Sequence, residues 1–181
     1  GMTSRELTQA VEQANAEKPD AVLIVGDLID ETTSETLAKD AARQLAGLQS
    51  VYGVYFVPGN HDGKSSQSID TLLAKAGITE LNNEAILLAG AVNLVGQSCE
   101  TRQRVDTILA EWGMDERRPT IVMQHIPRQL KQIADDGADL ILCGHTHGYR
   151  YPFGGVVLKL WNDLVYGQRR YGDTLAITSS G

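Results

Sequence analysis

Cysteine is scarce. Only Cys99 and Cys143 occur in 181 residues, and no C-x-x-C pair exists, which excludes a disulfide framework and the usual thiolate zinc cluster. Cys143 ends the apolar run Leu140-Ile141-Leu142, so a buried small hydrophobe is expected there, in a reducing compartment. Long apolar runs are lacking too. None approaches about 18 residues, so no membrane span is expected, and no signal peptide is visible. Positive charge is in deficit: 16 Lys and Arg stand against 23 Asp and Glu, a net −7. That disfavours a protein living on a nucleic-acid backbone, which needs a basic face. It leaves a phosphate substrate open, because bound cations invert a local field. Histidine is also sparse, with four residues, yet all four fall in short polar motifs, most of them beside glycine.

The length fits one domain, here residues 1–181, with room for a substantial core. Helical and strand patterns alternate along it. Thr3-Ser4-Arg5-Glu6 is a capping box, followed by Leu7, Ala10, Val11 and Ala14 at helical spacing. Residues 21–25 form a short continuous apolar run of the kind buried in a parallel sheet. Leu37, Ala41, Leu45 and Leu48 predict a second helix, and Ile69, Leu72, Leu73 and Ala76 a third, stopped by Gly77. Strands are predicted over 54–57, 120–123, 140–143, 155–160 and 174–178. A hairpin is predicted around Ala89-Gly90. Val105, Ile108, Leu109 and Trp112 mark a fourth helix, and Leu130, Ile133 and Ala134 a fifth. Arg117-Arg118 and Arg169-Arg170 read as solvated turn charges.

This order predicts an α/β fold with two sheets between helical layers. Ligands in open α/β sheets gather outside the carboxyl ends of strands. Asp27 (in Gly26-Asp27-Leu28-Ile29-Asp30), Asn60 (in Gly59-Asn60-His61-Asp62), His125 and His145 (in Gly144-His145-Thr146-His147) all follow such strands. Imidazole, carboxylate and amide together suit Mn, Fe or Zn, and one carboxylate can bridge two ions about 3.5–4 Å apart. Each motif alone has an ordinary explanation: Asp27 as a turn former, Asn60-His61 as a plain turn after Pro58-Gly59, His125 as a satisfied strand-end histidine.

Taken jointly, GDLID, GNHD, a strand-end His and GHTH resemble the calcineurin-like metallophosphoesterase superfamily. The bacterial phosphodiesterase branch, with a final CGHTHG as at residues 143–148, is the most similar. The resemblance covers roughly residues 3 to 181. It implies a four-layer α/β/β/α sandwich and hydrolysis of phosphomonoesters or phosphodiesters by a metal-activated hydroxide. It implies that Asp27 bridges two divalent transition ions, that Asn60, His125 and His145 hold the second, and that His147 holds the first. It further implies that His61 protonates the leaving group, with Asp30 orienting it. Arg150 is a candidate phosphate contact. Tyr149, Tyr151 and Phe153 are a candidate apolar lip, against an equal reading as packing under the loop.

The family's opening strand carries Asp-x-His, and this sequence has no such motif. The first ion would then keep only Asp27 and His147, so one ion or none is expected in this chain and its activity should be impaired. The alternative is a non-catalytic binding scaffold on the same fold. The strand expected beside residues 21–25 is absent, and an oligomer contact or a rearranged terminus is expected to cover the open edge. Gly1 before Met2 reads as a tag remnant. The expected partner is a small phosphate ester, with no nucleic acid. Localisation is expected to be cytoplasmic, with peripheral membrane contact through the apolar segment 160–166.

Overall fold

The structure is a computed structural model that describes residues 3–30, 32–62, 66–146 and 162–179. It divides into two compact units, residues 1–80 and 81–181.

The first unit opens with α1 (Ser4–Ala16). Thr3 caps it by the predicted box: its side chain accepts from the Glu6 N–H, and the Glu6 carboxylate accepts from the Thr3 N–H. That satisfies two of the orphan donors of the first turn. No α1 residue is fully buried. Leu7 and Val11 pack against the unit's core, and polar bonds add to the hold: Ser4 to Asp40 at 2.7 Å, Thr8 to Gln44 at 2.8 Å and Asn15 to the Gly47 carbonyl at 2.8 Å. Three strands follow in parallel, β1 (Val22–Ile24), β2 (Val54–Phe56) and β3 (Thr79–Glu80), with β1 at one edge and β2 central. The helices α2 (Glu35–Leu45) and α3 (Ser66–Ala76) provide the crossovers a parallel sheet requires. The unit's core gathers Ala42, Leu45, Phe56, Ile69, Leu72 and Leu73. In α2 the buried face is Ala38, Ala42 and Leu45, and the expected Leu37 is 55% exposed. The rest of the expected stripe holds: Leu45 is buried, and Ala41 and Leu48 pack against the core.

The second unit is a six-stranded sheet in the order β4 (Glu84–Leu88), β5 (Val92–Gln97), β6 (Thr120–Gln124), β7 (Leu140–Cys143), β9 (Thr174–Thr178), β8 (Gly167–Tyr171). The inner four, β5, β6, β7 and β9, are mutually parallel, while β4 and β8 run antiparallel at the edges. The predicted hairpin joins β4 to β5. Ala91 N–H donates to the Leu88 carbonyl at 3.0 Å, with Ala89 at φ 52° and Gly90 at φ 69°. Two successive positive φ values match a type I′ turn and the sheet's twist. Two helices, α4 (Val105–Glu111) and α5 (Leu130–Asp135), bury Val105, Ile108, Leu109, Leu130 and Ile133 against Val95, Val122, Ile141 and Ala176. Each unit thus supplies one sheet and its own helices, the composition expected of each half of the α/β fold. Cys143 is buried as expected, and burial pushes its thiol far above the ordinary range.

Two elements differ from expectation. β3 was not foreseen. Arg169 and Arg170 are exposed as expected, but they stand on the edge strand β8 rather than in a turn. Of the segment read as membrane-docking, Leu164 packs on the core, Val165 is buried and Tyr166 is 57% exposed. Among the described residues no helix is long and apolar enough to cross a membrane. The predicted strand 155–160, the aromatic residues Tyr149, Tyr151 and Phe153, His147 and Arg150 lie outside the described residues.

Candidate metal centre

In the first unit, β1 and β2 are paired in parallel, Ile24 opposite Phe56, so their carboxyl ends release neighbouring loops. The first loop turns sharply: Gly26 sits at φ 84° and Asp27 at φ 57°. Asp is one of the few residues that tolerate the left-handed region. A side chain held there by its surroundings points to a functional constraint.

The constraint is visible. Asp62 is fully buried, and its carboxylate accepts three backbone N–H groups: Asp27 at 2.6 Å, Gly59 at 2.8 Å and Ile29 at 3.1 Å. In return the Asp27 Oδ1 accepts the His61 N–H at 3.1 Å. The two loops are thereby cross-linked in both directions. Burial pushes the Asp62 carboxyl up, and the three N–H donors pull against that. Gly59 is the point of closest approach: a Cβ there would fall 2.2 Å from Asp27 Oδ1 and 2.5 Å from its N. Asp27, Asn60 and His61 remain half-buried, so their polar atoms stay within reach of a ligand. Asp30 accepts from Thr32 N–H at 2.9 Å, Thr32 Oγ1 at 2.7 Å and Thr33 Oγ1 at 3.1 Å. The Thr32 hydroxyl above all holds its carboxyl below the ordinary range.

In the second unit His125 follows β6 and is 1% exposed. His145 follows β7 at φ 73°. Gly144 N–H donates to the His125 carbonyl at 3.0 Å, locking the two strand ends. The rings meet edge to face, centroids 5.1 Å apart and planes at 77°, with His145 Nδ1 3.3 Å from His125 Nε2. Two ring nitrogens this close share either a proton or a cation; if both rings are protonated, they repel. Thr146 secures the far side through a hydrogen bond from its hydroxyl to the Val165 carbonyl.

The structure therefore brings Asp27, Asn60 and His61 together in one unit and His125 and His145 together in the other. Asp62 had no assigned role in the sequence reading. Its signal was an acid closing a four-residue turn motif, which looks the same whether it faces solvent or three buried amides.

Carboxylate and amide donors thus follow parallel strands in the first unit and imidazole donors follow parallel strands in the second, donor types that suit divalent transition ions. The chain belongs to the calcineurin-like phosphoesterase family, whose match covers residues 3–149; the family is one of metal-dependent phosphoesterases. It is 34% identical over 182 residues to a metallophosphoesterase of Helicobacter pylori, covering 94% of this chain and 48% of that one. It is 27% identical over 194 residues to the phosphodiesterase YaeI of Escherichia coli, covering 97% of this chain and 67% of that one. The chain spans about half the length of several of the curated relatives it matches. Among solved structures, TT1561 of Thermus thermophilus shares the fold at a TM-score of 0.62 and 14% identity, over 95% of this chain and 81% of that one.

Proposed function

We propose that this chain hydrolyses phosphomonoesters or phosphodiesters with the help of divalent transition ions. The observation that carries the reading is the pair of buried His125 and half-buried His145, with ring nitrogens 3.3 Å apart at the ends of parallel strands. Such a pair fits a cation, and together with carboxylate and amide oxygen it fits Mn, Fe or Zn. In this reading Asp27, Asn60, His125, His145 and His147 hold the ions, and family membership supports it. When bound, such ions lower the pKa of water and polarise phosphoryl oxygens. The protein's own share is positional and protonic. The Asp62 cross-link fixes Asp27 and Asn60 before any ligand arrives. His61, half-buried and beside them, protonates the departing alkoxide, with Asp30 given the role of orienting it.

The test is elemental analysis of the purified chain alongside turnover of an aryl phosphate diester, with and without added manganese. Bound metal and manganese-dependent turnover are expected. His61→Ala should lose turnover and keep its metal. A wild-type chain that neither retains metal nor turns over in manganese sinks the reading, and metal loss in His61→Ala sinks the role given to His61.

A further inference from the structure

His125 stands one residue past the end of β6, where the strand ladder no longer holds the chain. Residues 126–129 then make a turn into α5. Within that turn the Arg128 N–H donates to the Ile126 carbonyl at 2.8 Å, across Pro127. Gln129 is left-handed at φ 58° and gives α5 no side-chain cap. Four backbone groups of this stretch are met from outside it. Gln124 Nε2 donates to the Arg128 carbonyl at 2.9 Å and also to the Ile126 carbonyl. The Asp163 N–H donates to the Pro127 carbonyl at 2.8 Å, and the Asp163 carboxylate accepts the Leu130 N–H at 2.9 Å. Three successive carbonyls and the first N–H of α5 are thus satisfied by two residues, one next to His125 in the chain and one far from it.

The choice of glutamine at position 124 has a cost. Its side chain is buried, and among the described residues its Oε1 has no hydrogen-bond partner. An unmet buried acceptor is destabilising, and an apolar side chain of similar length would avoid it. The two carbonyls account for it: only the amide nitrogen can serve both, and a flipped amide would set oxygen against oxygen. Gln124 and Ile126 flank His125, so this one amide ties together the backbone on either side of the ring. The Gly144 N–H on the His125 carbonyl completes the frame.

We infer that Gln124 and Asp163 are positioning residues for His125: they build the turn behind it and so set its ring against that of His145, nitrogen to nitrogen at 3.3 Å. That His125 holds an ion rests on the phosphoesterase reading; the hold on its turn does not.

The experiment compares Gln124→Met, Asp163→Ala and Asp163→Asn with Ile108→Val, a core change in α4 that controls for stability alone. Two readouts are taken: nuclear Overhauser cross-peaks between the His125 and His145 ring protons in metal-free protein, and manganese affinity by equilibrium dialysis. Gln124→Met and Asp163→Ala should weaken the cross-peaks and lower manganese affinity about tenfold or more, the usual cost of losing a ligand's support. Asp163→Asn keeps an acceptor for the Leu130 N–H and should stay close to wild type. Ile108→Val should lower the urea midpoint and leave both readouts alone. Asp163 is exposed, so Asp163→Ala serves if Gln124→Met fails to fold. Unchanged cross-peaks in Gln124→Met and Asp163→Ala overturn the positioning role, and so does an equal loss in Ile108→Val. Weakened cross-peaks in a chain whose wild type binds no manganese support the role and sink the phosphoesterase reading. Wild-type manganese binding that is unchanged in Gln124→Met and Asp163→Ala overturns the role alone.

Discussion

The Asp62 carboxylate accepts the backbone N–H of Asp27 at 2.6 Å, across 35 residues of sequence. A buried acid thus holds the proposed metal ligand Asp27 at a backbone conformation few residues tolerate. Asp62→Ala leaves three N–H groups without their acceptor. At about 1–3 kcal/mol for each buried unsatisfied group, a loss of roughly 3–9 kcal/mol in urea unfolding is expected. Asp62→Asn keeps one acceptor oxygen and should lose less. Equal midpoints for wild type and Asp62→Ala would show that the cross-link carries no stability.

Gly59→Ala places a Cβ 2.2 Å from Asp27 Oδ1. The loops must part, and Asp27 must shift by about an ångström. A fall in turnover of about 100-fold is expected from displacement on that scale. The comparison with Gly77→Ala, where a Cβ meets nothing within 4 Å but φ is +69°, separates steric displacement from backbone strain. The Gly77 variant should lose stability and keep its turnover per folded molecule.

His125→Ala removes one of two apposed ring nitrogens. Manganese affinity should fall by more than about tenfold, the lower bound seen when only the outer support of a ligand is lost. Equilibrium dialysis measures it directly. His145→Ala gives no relief to the left-handed backbone at φ 73°, where alanine is no better suited than histidine.

Asp115 contributes to the pH dependence of stability. The Asp115 carboxyl is drawn down to about 2 by the Arg117 side chain and N–H. A depressed carboxylate stabilises above its unfolded pKa, and that stabilisation is lost as pH falls from about 4 towards about 2. Arg117→Ala should therefore narrow the gap between urea midpoints at pH 5 and pH 2.5. Both groups reach solvent, so salt should shrink the effect.

The hairpin turn offers a stabilising change. Ala89 adopts φ 52° ahead of Gly90, a position alanine dislikes. Ala89→Asn creates the Asn-Gly pair favoured in type I′ turns and should raise stability by about 1 kcal/mol. A lower melting temperature would contradict the turn assignment.

The sequence by itself determined the alternation of helices and strands, the capping box at Thr3, the hairpin at Ala89-Gly90 and the strand-end placement of Asp27, Asn60, His125 and His145. These depend on local periodicity and turn chemistry, which act within a few residues. It left β8 hidden, because an edge strand reading Gln168-Arg169-Arg170 exposes its charges and shows no apolar alternation. It chose Leu37 over Ala38 in α2, because burial follows how closely neighbouring elements approach. Only the tertiary structure decided that Asp62 faces three amides rather than water and that the rings of His125 and His145 face each other. Only the tertiary structure, too, showed that Gln124 and Asp163 hold the turn after His125 between them. Asp62 and Asp27 stand 35 positions apart in the chain, and His125 and His145 stand 20 apart. Such pairings are set by strand register and packing, which no local pattern encodes.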